Sequence, residues 1–336
     1  MSYLLAVDQG SSKTVAVVGD SAGSILGFGY AGGACHASDG MDTAMAMVRQ
    51  ACDQAMLQAG VTAENISLLV GGLTGADWEH EYGMLEDALI RAIGVPSVRV
   101  HNDCVIAQRG GTDAGHSIVL CAGTAFNAAV QTPDGNRFIY GYYVNDEDMG
   151  GTSLGKAAVV AVCNAHVGIG PQTLLTDIVL QYYRVSSVDE LLFRRIEGKL
   201  QPYKNAAPLL FEAVKAGDPA AIDILEQHGK SLTRYALAGL QRIGESSLRT
   251  DVVLSGSIFK AEDRLLQTVI AETLAKEAPH ANVVDALYEP VVGAYLLGLD
   301  SIHGAAFPLK NERLQESAAR FGLFRLTNNK EEGVIP

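Results

Sequence analysis

The chain has 336 residues, which at roughly 150 per domain predicts about two domains. With 48% hydrophobic and 19% charged residues it has ample apolar surface for a core, which excludes a disordered or low-complexity protein. The 38 acidic against 25 basic side chains give a formal net charge of -13, a field that repels nucleic acid and anionic membranes, so neither is expected as a partner.

Three strands open the chain, over 3–7, 14–18 and 25–30. The first two are joined by Asp8-Gln9-Gly10-Ser11-Ser12-Lys13 and the last two by Asp20-Ser21-Ala22-Gly23. A helix follows over 41–59 and stops at Gly60, with Met45, Val48, Cys52 and Met56 spaced as a core stripe. A strand over 66–70, a helix over 81–93, a strand over 97–101 and a helix from Cys104 to Arg109 then alternate, as in a parallel sheet covered by helices. The opening pattern returns with a strand over 117–121, the turn Ala122-Gly123-Thr124-Ala125, and strands over 126–132 and 137–141. Gly10 precedes Gly23 by thirteen positions and Gly123 precedes Gly135 by twelve, so two units of one design are expected to flank a cleft. The second half reads as mostly helical, with Asp218 capping a helix that starts at Pro219. After it come a strand over 251–254, a helix over 264–276, a strand beginning at 283–284 and an apolar helix over 290–299. The polar tail over 327–336 is expected to fray. Expected domains are 1–115 and 116–326, followed by that tail.

Asp8 is met before any apolar leader can form, and no apolar run reaches the ~18 residues of a membrane span, so a cytoplasmic protein is expected. The five cysteines, Cys35, Cys52, Cys104, Cys121 and Cys163, are odd in number and no two are closer than seventeen positions. They read as free thiols rather than a disulfide or zinc framework.

Five segments could carry chemistry. In Asp8–Thr14, Gly10 and the small Ser11 and Ser12 let backbone N–H groups approach a phosphate, and Lys13 or Thr14 could touch its oxygens. Asp8, at a strand end, is placed to hold Mg2+ directly or through water. The plainer reading is a hairpin turn, and the segment is not a Walker A loop. Gly123 and Thr124 repeat the device one unit later, and a polyphosphate spanning a cleft needs donors from both walls. Asp103, in His101-Asn102-Asp103, is either a helix N-cap or a general base in the crevice. The acids Asp146, Glu147 and Asp148 precede a glycine-rich helix entry, where they suit the helix dipole or position a polyol. Ser255-Gly256-Ser257 permits close approach of a flat ring such as adenine. No HxxxH or HExxH spacing supports a protein-held metal cluster, and no GxSxG elbow supports a serine hydrolase.

In this order, these turns resemble those of the acetate and sugar kinase, heat-shock chaperone and actin superfamily, and within it the BadF/BadG/BcrA/BcrD-type ATPases, which include N-acetylglucosamine kinases. The likeness runs from about residue 3 to 300. It implies two ribonuclease H-like, actin-like ATPase domains of duplicated βββαβαβα topology, and an ATP- and Mg2+-dependent sugar or amino-sugar kinase, expected as a homodimer. Asp8–Thr14 resembles the first phosphate motif, 121–127 the second, 251–259 the adenosine motif and 289–294 the closing helix. By the same resemblance Asp103 is the base. Thr74, Gly75 and Asn127 contact the sugar, and Glu147 and Asp148 hold a sugar hydroxyl or N-acetyl group. The chain departs from the pattern at Gln9, Ser11 and Ser12, at Cys35 where a sugar-binding asparagine is usual, and at Met149 after the acid pair. Two alternatives are an activator coupling ATP hydrolysis to electron transfer through an iron–sulfur cluster on Cys121 or Cys163, and a nucleotide-binding regulator with no acceptor.

Overall fold

The computed structural model describes residues 2–200, 203–244 and 248–325, so the expected tail lies outside the described residues. The first sheet holds β1 (Tyr3–Gln9), β2 (Lys13–Asp20), β3 (Ile25–Gly32), β4 (Ile66–Leu73) and β5 (Val98–Asn102) in the order β3-β2-β1-β4-β5. Its helices are α1 (His36–Asp39), α2 (Met41–Ala59), α3 (Glu79–Ile93) and α4 (Asp103–Arg109). The second sheet holds β6 (Ser117–Ala122), β7 (Phe126–Gln131), β8 (Arg137–Ile139), β9 (Thr250–Ser255) and β10 (Ala281–Asp285) in the matching order β8-β7-β6-β9-β10. In each sheet the first three strands are antiparallel and the last two join in parallel. The duplicated topology expected from the glycine spacing is present. Gly23 and Gly135 both sit at positive φ, 97° and 85°, which explains why glycine recurs at the two hairpins.

The copies differ where the helix after the third strand stands. The first has α1 and α2. The second has α5 (Gly150–Val167), α6 (Leu175–Tyr183), α7 (Val188–Ile196), α8 (Ala207–Lys215) and α9 (Pro219–Ile243), followed after β9 by α10 (Leu265–Glu277). Asp218 caps α9 as expected, its carboxylate accepting from the Ala221 N–H at 2.8 Å.

Alternation along the strands sends each face to a different partner. Leu5, Val7, Ala16 and Val18 face α2 and α3, while Leu4, Ala6, Val15 and Val17 face α11 (Pro290–His303) and α12 (Glu312–Arg320). The two last helices therefore return to the first sheet. Val291, Val292, Tyr295, Leu296 and Leu299 of α11 are all fully buried there, each worth about 1.5–3 kcal/mol relative to exposure. Between the sheets α4 serves both sides: Ile106 packs on the first, Cys104 and Ala107 on the second. It crosses α11 backbone to backbone, since a Cβ on Gly293 would lie 1.8 Å from the Ile106 carbonyl oxygen.

Candidate active site

Parallel strands deliver their carboxyl ends to the same edge of each sheet, and ligands of open α/β sheets bind there. At that edge the turns after β1 and β6 meet. The Ser12 and Thr124 hydroxyls, 112 positions apart in sequence, are hydrogen-bonded at 2.9 Å. Between the two sheets lies a cleft of about 680 Å³ lined by both turns and by Asp8, Asp103, Ser255, Gly256 and Ser257.

The first turn is closed by the Gly10 N–H donating to the Lys13 carbonyl at 2.9 Å, which leaves Ser11 and Ser12 exposed toward the cleft. Thr14 is not part of the cleft lining: it is fully buried and its hydroxyl donates to the Gly32 carbonyl at 2.8 Å. The expectation that Thr14 contacts phosphate is corrected on that ground. Gln9 is structural too, its amide donating to the Ala44 carbonyl at 2.7 Å. Carbonyls of the second turn are held by the first turn of α5, where Gly151 and Thr152 N–H groups donate to Gly123 and Thr124 at 2.8 and 3.0 Å. The adenosine-type turn packs on this one, with Gly256 at φ 101° against the end of β6. The Ser255 hydroxyl beside it is buried without a hydrogen-bond partner, as a group awaiting a ligand would be.

Asp103 does not cap α4. Asn102 does, its side chain accepting from the Cys104 N–H at 2.9 Å, which leaves the Asp103 carboxylate at the first helical position. Burial, and next the Asp77 carboxylate, push Asp103 up to about 6, against the pull of hydrogen bonds from Thr74 and Cys104. Asp8 is only 8% exposed. Burial and the Asp103 and Glu289 carboxylates drive it to about 7 despite Lys13 and Arg325. A hard oxygen ligand in this state fits a divalent cation held by one carboxylate and by phosphates, which is how magnesium usually binds.

The cleft is also lined by Thr74, Gly75, Cys35 and Asn127. Asn127 is locked, its carbonyl oxygen accepting from the Ala128 and Gly141 N–H groups and its amide donating to Asp77 at 3.3 Å. The acid pair is not brought into the cleft. Asp148, 1% exposed, accepts from Ser231, Arg234 and Tyr235 on α9, and Glu147 is exposed outside the lining. Neither Glu147 nor Asp148, expected as substrate contacts, lines the cleft; Met149 occupies its wall instead.

A sequence model of the BadF/BadG/BcrA/BcrD ATPase family matches residues 5–298. The chain belongs to that family. It is 23% identical over 315 residues to an N-acetyl-D-glucosamine kinase of Dictyostelium discoideum, covering 88% of this chain and 98% of the relative. It is 24% identical over 290 residues to a glucosamine kinase of Vibrio cholerae, covering 85% and 94%. Among solved structures, a candidate N-acetylglucosamine kinase from Chromobacterium violaceum superposes with a TM-score of 0.68 at 23% identity, over 88% of this chain and 99% of that one. A glucokinase of Streptomyces griseus solved with glucose and AMPPNP gives 0.58 at 20% identity, over 87% and 97%. The fold is thus that of the actin-like sugar kinases.

The family's ATPase character agrees with a cationic cluster that the sequence reading missed. Glu289 is the N-cap residue of α11, and Lys260, Lys13 and Arg325 surround its carboxylate at 2.5, 3.6 and 3.9 Å. Burial alone would raise Glu289, but the three cations outweigh it and hold the carboxyl below its usual range. Arg325 also donates to the Gly256 carbonyl at 2.6 Å. The group's contribution to stability is present above the unfolded pKa of about 4.3 and is lost as pH falls through the depressed folded value. Glu289→Gln is expected to lower the melting midpoint at pH 7 and to flatten its acid limb, measured by differential scanning calorimetry between pH 3 and 8; an unchanged profile would show that the cluster is electrostatically idle.

The iron–sulfur alternative is not favoured by the cysteine placement. Cys121 packs between the sheets beside Cys104, whereas Cys163 packs with the helices on the other face of the second sheet. Among the described residues no helix is long and apolar enough to cross a membrane.

Proposed function

We propose that this chain transfers the γ-phosphoryl group of ATP to a hydroxyl of a sugar or amino sugar, such as N-acetylglucosamine or glucosamine. The observation that carries the reading is the contact between the Ser12 and Thr124 turns over a cleft that also holds Asp103. The β- and γ-phosphates would lie between the two turns, displacing that hydroxyl pair, and the adenosine against Gly256. Lys13 and Lys260 supply positive charge at the phosphate end. Asp8 would hold Mg2+, which when bound neutralises charge on the phosphates.

Asp103 accepts the proton of the acceptor hydroxyl as its oxygen bonds to the γ-phosphorus and the bond to the β-phosphate oxygen breaks. Positioning and charge stabilisation supply most of the acceleration in such transfers. The lobes would divide near residue 115, with α11 and α12 returned to the first, and close on the substrates to exclude water. A homodimer in the cytoplasm completes the reading, its mass to be checked by light scattering. A coupled assay of ADP release across amino sugars, hexoses and their N-acetyl forms tests the function. Sugar-stimulated release is expected, and tight ATP binding without it would support the regulator instead.

A further inference from the structure

We infer that Trp78, Tyr142 and Tyr143 form a rim subsite for a second sugar ring, so that a glycosidically linked acceptor is preferred over a lone monosaccharide. This rests on the kinase reading above. Trp78 follows Asp77 at the start of α3, and the tyrosines follow Gly141 after β8, so the two segments come from different sheets. They meet at the cleft. A Cβ on Gly141 would lie 2.8 Å from the Asp77 carboxyl carbon, and Asp77, Gly141 and Tyr142 all line the cavity. The Trp78 ring lies 6.1 Å from Tyr142 at an interplanar angle of 13°, and 6.3 Å from Tyr143 at 70°.

Despite these contacts Trp78, Tyr142 and Tyr143 remain 39%, 65% and 61% exposed. Trp78 also stacks on His80 and Tyr143 on Phe138. Tyr142, the one of the three that lines the cleft, therefore offers the open ring at its mouth, and an exposed aromatic there marks a recognition surface. At the inner acceptor end two polar pairs are already engaged. Asn127 and Asp77 are bonded to each other, and the Cys35 thiol donates to the Thr74 carbonyl at 3.6 Å. Contacts connect the base to the rim. The Asn102 amide, next to Asp103, donates to Asp77 at 2.7 Å, and Asp77 touches Gly141, which leads into the two tyrosines. The rim therefore lies on the Asp77 side of the base, where the far ring of a disaccharide would emerge with its apolar face on an aromatic ring.

Trp78 is the single tryptophan of the chain, so its emission reports on this place alone. Titrated without ATP, N,N′-diacetylchitobiose is expected to perturb Trp78 fluorescence with a half-saturation about tenfold below that of N-acetylglucosamine, a difference of ~1.4 kcal/mol. Tyr142→Ala should erase that gap and Tyr142→Phe should keep it. In the ADP-release assay Trp78→Ala should lower the ratio of kcat/KM for the disaccharide to that for the monosaccharide about tenfold. Equal half-saturation for both sugars in the parent protein, or equal losses for both in the variants, overturns the subsite. Sugar-independent ADP release overturns the kinase reading instead, and the binding titration still decides the rim.

Discussion

Asp103→Asn is expected to lower turnover at least ~10²-fold, within the ~10²–10⁴ that a positioned base contributes, while nucleotide affinity survives. The parent enzyme should lose kcat/KM as pH falls through about 6, where Asp103 takes up a proton. The variant should lose that limb. Mg2+ affinity should weaken as pH falls through about 7, because Asp8 must ionise to bind a cation.

The same substitution has a thermal signature of opposite sense. A folded carboxyl raised above its unfolded value binds more protons in the native state between about pH 4 and 6, so stability falls as pH rises across that window. Asparagine carries no such penalty, and the melting midpoint at pH 8 should rise by a few degrees, at roughly 2–4 °C per kcal/mol. Near-normal turnover would remove Asp103 from the base role. A midpoint that does not move would remove burial as the origin of its raised pKa.

The second large effect is expected at two neighbouring glycines that behave differently. Gly256 has φ 101°, and a Cβ there would lie 2.2 Å from the Ala122 carbonyl oxygen. Gly256→Ala thus meets backbone strain of about 1–3 kcal/mol and overpacking of similar size, so both the melting midpoint and nucleotide affinity should fall sharply. At Gly123 a Cβ would meet only the Ser257 hydroxyl at 3.9 Å. Gly123→Ala should therefore melt normally yet bind ATP at least about tenfold more weakly, since the added methyl stands where phosphate would approach. Calorimetry and a nucleotide titration on the two variants separate the cases. A parallel loss of stability in both would mean that the second turn is not open to ligand.

Much of this architecture was legible because its signals are local. Alternating apolar strands and positive-φ turns recur in the same order in both halves, and the hydroxyl-rich turns stand at strand ends where the topology brings them together. What escaped the sequence depends on distant residues or on competition between neighbours. Lys260 and Arg325 reach Glu289 from separate segments, and no spacing rule connects them. Asn102 and Asp103 are both good caps, and the sequence does not say which of two adjacent residues turns its side chain back to the helix. The family resemblance points Asp148 toward the substrate, but the α9 donors Ser231, Arg234 and Tyr235 offer it a buried alternative that no local pattern announces. Thr14 lies two residues past the exposed stretch of its turn, already inside β2, which is buried on both faces.

The return of α11 and α12 to the first sheet has a consequence for biosynthesis. Strands β1–β5 leave the ribosome long before the helices that cover Leu4, Ala6, Val15 and Val17, so half of this layer stays greasy while the whole intervening portion is translated. The amino-terminal unit is therefore expected to complete its fold only when the carboxyl-terminal stretch arrives. A nascent chain stalled near residue 289 would present an open apolar sheet face to chaperones, and a gene truncated there would yield aggregates rather than a smaller working protein.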